Sequence, residues 1–300
     1  MKNQIFFLFK PFNVYNLYET IKSRPGTFRQ FTCRKNLVSL YNCPLDKKFE
    51  DVWSHHNYII YVVKGKKTWH TPHRSFELTE GTCFFVKKGA SIIEQFFEVS
   101  FCLVMFFLPD DFITDVLKNK TLHKPSANKM QYSAVPIDVT PTAQSFFLSM
   151  ITYFDSLQEP DPVLLELKFK ELVLTIADNP GNPELLTYLT SLLQDPGAIS
   201  LERVMEENFC YNLKLEEFAR LSNRSLSSFK RDFQRIYNTT PGKWLNQKRL
   251  EHAKHLLVNL NHTVSEAAFE SGFEHPAHFS RCFRDRFGLP PTAVKLKTAV

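Results

Sequence analysis

Val264-Ser-Glu-Ala-Ala-Phe-Glu-Ser-Gly-Phe-Glu-His-Pro, continuing as Ala277-His-Phe-Ser-Arg-Cys-Phe-Arg-Asp-Arg-Phe-Gly, is the stretch whose reading decides the fold. Phe279, Phe283 and Phe287 recur every four residues, the spacing that lines one face of an α-helix. His278, Arg281, Arg284 and Asp285 point elsewhere on the same helix. Ahead of it, Ala267, Ala268 and Ser271 give a shorter helix a small-residue face. Gly272 sits in the turn, where a missing Cβ costs nothing, and Pro276 suits a first-turn position. The pattern predicts a short helix, a tight turn and a second helix, aromatic on one side and basic on the other.

The same pattern occurs earlier, in Leu213-Lys-Leu-Glu-Glu-Phe-Ala-Arg-Leu-Ser-Asn-Arg-Ser and Leu226-Ser-Ser-Phe-Lys-Arg-Asp-Phe. Phe218, Ala219 and Ser222 share a face with Leu215. Asn223 lies in the turn and tolerates a left-handed backbone, and Ser225 caps the helix that follows. Leu226, Phe229, Phe233 and Ile236 are expected to form the buried stripe, with Lys230, Arg231 and Gln234 away from it. Phenylalanine every four residues occurs in many helical cores, and charged helix faces are usually just solvated. What a solvated face has no reason to repeat is punctuation. Tyr237-Asn-Thr-Thr-Pro241 follows the first copy and Phe287-Gly-Leu-Pro-Pro291 the second, each an aromatic, a turn residue and a proline that restarts a helix. The repeat fits two helix-turn-helix units of the kind that read duplex DNA. Arg281 is suited to a bidentate contact with guanine, and Arg284 and Arg286 to phosphate.

Charge agrees with a polyanionic partner. The chain has 300 residues and a formal net charge of +6. Ser200 to Val300 holds 16 Lys or Arg against 11 Asp or Glu, whereas the residues before it hold 21 against 20, so nearly all of the excess lies in the last third. With 43% apolar residues, the composition is that of a globular protein long enough for two cores.

The segments Ala267 to Pro291 and Pro241-Gly-Lys-Trp-Leu-Asn-Gln-Lys-Arg-Leu-Glu-His-Ala-Lys-His-Leu-Leu257 resemble the DNA-binding domain of the AraC/XylS family of bacterial transcription regulators. The resemblance covers roughly Ser200 to Leu296. It implies two units joined by one long helix, with the reading helices in successive major grooves on one face of the DNA. By position, the base-facing residues would be Ser227, Lys230 and Arg231 in the first unit and Ala277, His278 and Arg281 in the second, with Arg284 beside them. It further implies an activator of promoter DNA with RNA polymerase as a partner, controlled through its amino-terminal domain by a small ligand or a protein. Some positions depart from the family pattern. Asn238 replaces a usual glycine, and asparagine tolerates the same backbone. Phe229 replaces leucine. Glu274 stands at a usual Ser or Thr cap position, and Pro276 and Ala277 replace commonly polar residues. Sequence preference should therefore rest more on the first unit and on DNA shape.

Residues 1–197 are expected to form a regulatory or dimerisation domain and residues 198–300 the DNA-binding domain. Between Phe28 and Leu108, strands are predicted at Leu37–Tyr41, Tyr58–Val63, Thr68–His70, Ser75–Leu78, Thr82–Val86, Ile92–Phe97 and Phe101–Phe107, with turns around Gly65, Gly81 and Gly89. Short antiparallel strands with glycine turns imply a sandwich or small barrel. The resemblance makes this a cupin-like barrel with associated helices, giving an all-β domain followed by an all-α one. Helices are predicted at Asp110–Leu117, from Pro141 to about Leu157 behind Thr140, over Pro162–Ala177 behind Asp161, and over Glu184–Leu193. Thr121 to Ile137 reads as loop and Asp195–Ala198 as the hinge. Ile199–Glu207 opens the second domain, with Leu201, Val204 and Met205 inward. Val163, Leu167, Val173 and Leu174 widen the apolar surface of the Pro162 helix, which must pack within the chain or against a second subunit.

Other chemistry finds little footing. A metal-dependent cupin-type enzyme would draw ligands from His55, His56, His70 and His73. Adjacent histidines on a strand face opposite sides, and the expected carboxylate spacing is absent, so neither metal nor cofactor is expected. His252 and His255 either flank the buried face of the linking helix or approach the DNA backbone. No Gly-rich phosphate loop, Gly-x-Ser-x-Gly elbow or His-Glu-x-x-His pair occurs. A further rival is an interaction protein whose repeats no longer bind DNA; Lys230, Arg231, His278 and Arg281 weigh against it. The six cysteines are scattered, which favours reduced thiols. The opening Met1–Lys10 has too short an apolar run for a signal peptide, and Cys102–Leu108 is too short to span a bilayer. A cytoplasmic location away from membranes is expected.

Overall fold

The computed structural model describes residues 14–42, 49–70, 75–95, 100–122, 133–156, 159–194 and 201–297. The chain divides into two compact units, one of Tyr15–Lys48 with Val52–Ala198 and the other built on Ile199–Val300. In the first, the order is β1 (Tyr15–Asn16), α1 (Leu17–Lys22), β2 (Arg29–Cys33), β3 (Asn36–Asn42), β4 (Phe49–Ser54), β5 (Asn57–Lys64), β6 (Lys66–His70), β7 (Ser75–Thr79), β8 (Cys83–Val86), β9 (Gly89–Gln95), β10 (Cys102–Leu108), α2 (Asp110–Leu117), β11 (Ala134–Ile137), α3 (Pro141–Asp155), α4 (Pro162–Asp178) and α5 (Pro183–Gln194).

The strands form two sheets, ordered β1-β4-β9-β6-β7 and β11-β8-β5-β10-β3-β2. The second has both faces buried, which explains why β5 and β10 are unbroken apolar runs instead of alternating ones. Tyr58, Ile60 and Val62 of β5, with Leu103, Met105 and Phe107 of β10, share a core with Trp69 of β6 and Ile93 of β9. Ile59, Tyr61, Val104, Phe106 and Leu108 point the other way, into a core with α2 to α5. There Tyr61 stacks on Phe147 at 4.4 Å between centroids. The result is a cupin-like arrangement of two facing sheets that share no strand, backed on one side by helices.

Two helix starts follow their sequence signals. Thr140 Oγ1 accepts from the Ala143 amide, and Asp161 Oδ1 from those of Val163 and Leu164, each with proline in the first turn behind it. The loop expected over Thr121–Ile137 is corrected in its last four residues. Ala134–Ile137 is a strand paired antiparallel to β8. Val135 and Ile137 bury their side chains, and Pro136, which cannot donate to a ladder, is accommodated because β11 lies at the sheet edge. Strands β1, β2 and β4 and helix α1 extend the predicted set.

Asn57 organises a buried polar seam between sheet and helices. Its side-chain oxygen accepts from the Tyr188 hydroxyl (2.9 Å) and the Lys88 amide (3.1 Å), and its amide donates to Asp110 (2.6 Å). The Lys88 ammonium also meets Asp110, at 2.7 Å, with both side chains less than a tenth exposed. Nearby, the histidine geometry differs from expectation. His55 and His56 lie in the bend between β4 and β5, not on a strand, so their rings come together at 4.1 Å between centroids. Tyr18 meets both edge-on. The Asn16 amide lies 3.0 Å from His55 Nδ1, and His55 Nε2 lies 3.7 Å from Glu19. Among the described residues, no cluster of three or more ligating side chains could hold a metal ion, and no helix is long and apolar enough to cross a membrane. Cys43, His73 and the hinge expected at Asp195–Ala198 lie outside the described residues.

Burial, reinforced by the neighbouring His55, Lys88 and Lys35 and opposed by Asp111, lowers the His56 pKa to about 3. An unfolded chain takes up a proton at this residue near pH 6.5 that the folded one refuses. Stability should therefore fall as pH drops from about 6.5 toward 3, and His56→Gln should reduce that slope in urea unfolding followed at several pH values.

Candidate nucleic-acid interface

The second unit is all helical, with α6 (Leu201–Asn208), α7 (Leu215–Leu221), α8 (Leu226–Tyr237), α9 (Pro241–Asn259), α10 (Val264–Glu270), α11 (Pro276–Phe287) and α12 (Pro291–Lys297). Helices α7 and α8 make the first helix-turn-helix, α10 and α11 the second, and α9 joins them.

The repeat extends to individual hydrogen bonds. Glu217 Oε2 accepts from the Lys214 amide at the start of α7 (2.6 Å), and Glu266 Oε2 from the Thr263 amide at the start of α10 (2.7 Å). The buried Ser222 hydroxyl bonds back to the carbonyls of Phe218 and Ala219, and Ser271 occupies the matching buried position. The next residue turns the chain in the left-handed region, Asn223 at φ 55° and Gly272 at φ 86°. Asparagine could not replace Gly272, because a Cβ there would lie 2.7 Å from the Cys210 carbonyl oxygen.

Helices α8 and α11 have the same length, and each position of α8 has its counterpart fifty residues on in α11. Phe229 and Phe233 are fully buried, as are Phe279 and Phe283. Both helices end in a left-handed cap, Asn238 at φ 50° and Gly288 at φ 73°, so the substitution of asparagine for glycine preserves the backbone. The expected stripe is too long at its end: Ile236 is 42% exposed, and its counterpart is Arg286. The start of α11 also differs from expectation. Its N-cap is His275, not Glu274, and no side chain caps it, whereas Ser225 caps α8 through the Ser228 amide.

All seven expected contact residues, Ser227, Lys230, Arg231, Ala277, His278, Arg281 and Arg284, are exposed. The fifty-residue register pairs Ser227 with Ala277 and Arg231 with Arg281. Lys230 pairs with half-buried Ser280, and His278 with half-buried Ser228, so each helix adds one outward polar residue at a different place. The surroundings of the two arginines differ. Asp232 lies 3.7 Å from Arg231 and also meets Arg224 (3.2 Å) and Arg235 (3.8 Å). Its counterpart Cys282 is neutral and lies 3.3 Å from His278 Nε2. In the first unit the Arg224–Asp232 pair ties turn to helix. In the second, Phe273 does so by packing on Phe279 at 5.1 Å.

Residues 218–297 match a helix-turn-helix domain family, and residues 57–188 match the ExsA N-terminal regulatory domain. The virulence regulon transcriptional activator VirF of Yersinia enterocolitica is 25% identical over 78% of this chain and 87% of its own length. The HTH-type transcriptional regulator ExsA of Pseudomonas aeruginosa is 31% identical over 45% of this chain and 48% of its own. These similarities support the resemblance of the sequence to the AraC/XylS family of transcription regulators. An AraC-type regulator of solved structure from Chromobacterium violaceum aligns with 35% of this chain and 95% of its own, at 24% identity and a TM-score of 0.32.

Arg249 of α9 is a residue that the sequence alone does not single out. It lies four residues after Leu245 and four before Ala253, both buried, and so occupies an inward position of α9. A cation on an apolar stripe was the available signal.

Because Asn238 takes a left-handed conformation, Asn238→Gly should leave stability nearly unchanged, whereas Asn238→Val should cost about 1–2 kcal/mol in thermal or urea unfolding.

Proposed function

We propose that this chain is a sequence-specific activator of transcription that binds a two-part site in duplex DNA through α8 and α11. The observation that carries the reading is the repeated scaffold, which presents Arg231 and Arg281 at equivalent exposed positions of two equal helices. Each can address guanine bidentately, with Ser227, Lys230, Ala277 and His278 beside them and Arg284 placed for phosphate. Lysine and arginine elsewhere on the unit supply the salt-sensitive background affinity. The similarity to VirF, itself a transcriptional activator, supports the activating sign, and an activator of this kind would have RNA polymerase as its partner at the promoter.

The match of residues 57–188 to a regulatory domain supports control through the first unit, by a small molecule or a protein. Its role is binding, not catalysis. Val163, Leu164 and Leu167 of α4 are exposed, and they are where a second copy of the chain would pack.

Selection from random duplex DNA with the full-length chain should recover a motif with two submotifs. Arg281→Ala should weaken binding to that motif by about 1–3 kcal/mol and binding to scrambled DNA far less; equal losses on both would remove Arg281 as a base reader. Arg231→Ala makes the parallel test for α8.

A further inference from the structure

Three separate segments of the helical unit meet at one guanidinium. Arg249, midway along α9, donates Nε to the Phe209 carbonyl and Nη2 to the Tyr211 carbonyl, each at 2.7 Å. Phe209 and Tyr211 belong to the loop between α6 and α7, which leads directly into the first helix-turn-helix. Between them, the carbonyl oxygen of Cys210 faces Gly272, the turn residue of the second. A Cβ on Gly272 would lie 2.7 Å from that oxygen and 3.0 Å from Arg249 Nε. The loop is thus pinned from one side by the linking helix and abuts the other unit's turn with no room to spare.

Flanking contacts repeat the connection. The Asn212 amide donates to the Glu274 carboxylate, from the same loop to the residue two beyond Gly272. Phe209 meets His252 edge-on at 5.4 Å, and Lys248 meets Glu206 at 2.8 Å, fastening α9 to α6 and its loop. A charged donor to two carbonyls makes stronger and more directional bonds than a neutral one. Each helix-turn-helix has its own buried phenylalanine pair, Phe229 with Phe233 and Phe279 with Phe283, so neither fold needs Arg249 for its core. What Arg249 holds is one unit against the other.

We infer that Arg249 is a positioning residue that fixes α8 and α11 in one mutual orientation, so that the protein accepts the two halves of its DNA site at a single spacing. The inference rests on the DNA-binding reading above and adds how that site measures distance. Two linked readers gain affinity from simultaneous engagement only when their geometry matches the span, and a rigid joint makes that match narrow.

The test uses the full-length chain and its selected DNA site, with one or two base pairs inserted or removed between the halves. The wild type should lose about tenfold or more on changing the spacing. Arg249→Met keeps the volume and removes the donors. It should weaken binding at the original spacing by about tenfold, bring all spacings within about twofold of one another, and leave binding to a single half-site unchanged. Asn212→Ala, at a half-buried loop position, should relax the preference in the same direction by about two- to threefold, and it decides the matter if circular dichroism shows that Arg249→Met has not folded. Retained spacing preference in a folded variant overturns the inference. So does a uniform loss that includes single half-sites, which is the signature of general destabilisation. A wild type that selects no site at all instead refutes the DNA-binding reading.

Discussion

A short helix that offers a charged face to a partner must be held entirely by its other face. In α8 and α11 that task falls to two phenylalanines one turn apart, Phe229 with Phe233 and Phe279 with Phe283. Full burial of such a side chain is worth about 1.5–3 kcal/mol, enough to anchor a helix whose outer residues contribute nothing to the core. The remaining stability comes from ends. Serine caps α8, proline begins α9, α11 and α12, and a left-handed residue stops both reading helices. Because anchoring and termination are local, the outer positions are free to carry whatever chemistry the partner requires.

The first unit solves a different problem. Its six-stranded sheet must be covered on both faces, one by the second sheet and the other by α2 to α5. Apolar contact alone does not fix how helices lie on a sheet. The Asn57, Lys88, Asp110 and Tyr188 seam supplies direction, since buried polar groups tolerate few alternative partners. Tyr188 belongs to α5 and Asp110 to α2, so both ends of the helical layer register against the start of β5.

Punctuation was the most legible part of the sequence. Asn223, Gly272, Asn238 and Gly288 marked turns that the backbone adopts, and Thr140, Asp161 and Ser225 marked helix starts that they cap. Local hydrogen bonds and allowed dihedrals decide these features, so a local reading suffices. Features decided by distant partners were not legible. Ala134–Ile137 is a strand only because β8 lies beside it, and its proline argued the other way. Ile236 keeps the spacing of the stripe but lies at the last turn of α8, where it is 42% exposed. His55 and His56 were assigned to opposite faces on the assumption of a strand, and the bend between β4 and β5 brings them together. Arg249 was overlooked because its partners are backbone carbonyls, which have no signature in sequence.

The two helix-turn-helix units share a scaffold yet differ in how each closes its turn, and this difference reaches the reading face. Closing the first turn through Arg224 requires a carboxylate at Asp232, one residue after Arg231. That carboxylate also lies 3.7 Å from the guanidinium of Arg231, a weak contact for a side chain that is 76% exposed. Closing the second turn through Phe273 requires only an apolar surface, and the matching position can be Cys282. Position 282 therefore offers Arg281 no carboxylate, and exposed Ala277 stands where α8 has Ser227. The physical expectation is a division of labour. On the proposed reading, Ser227, Lys230 and Arg231 of the first unit would discriminate among bases, and Arg281, Arg284 and Arg286 of the second, after its apolar start, would supply attraction to the backbone and one base contact.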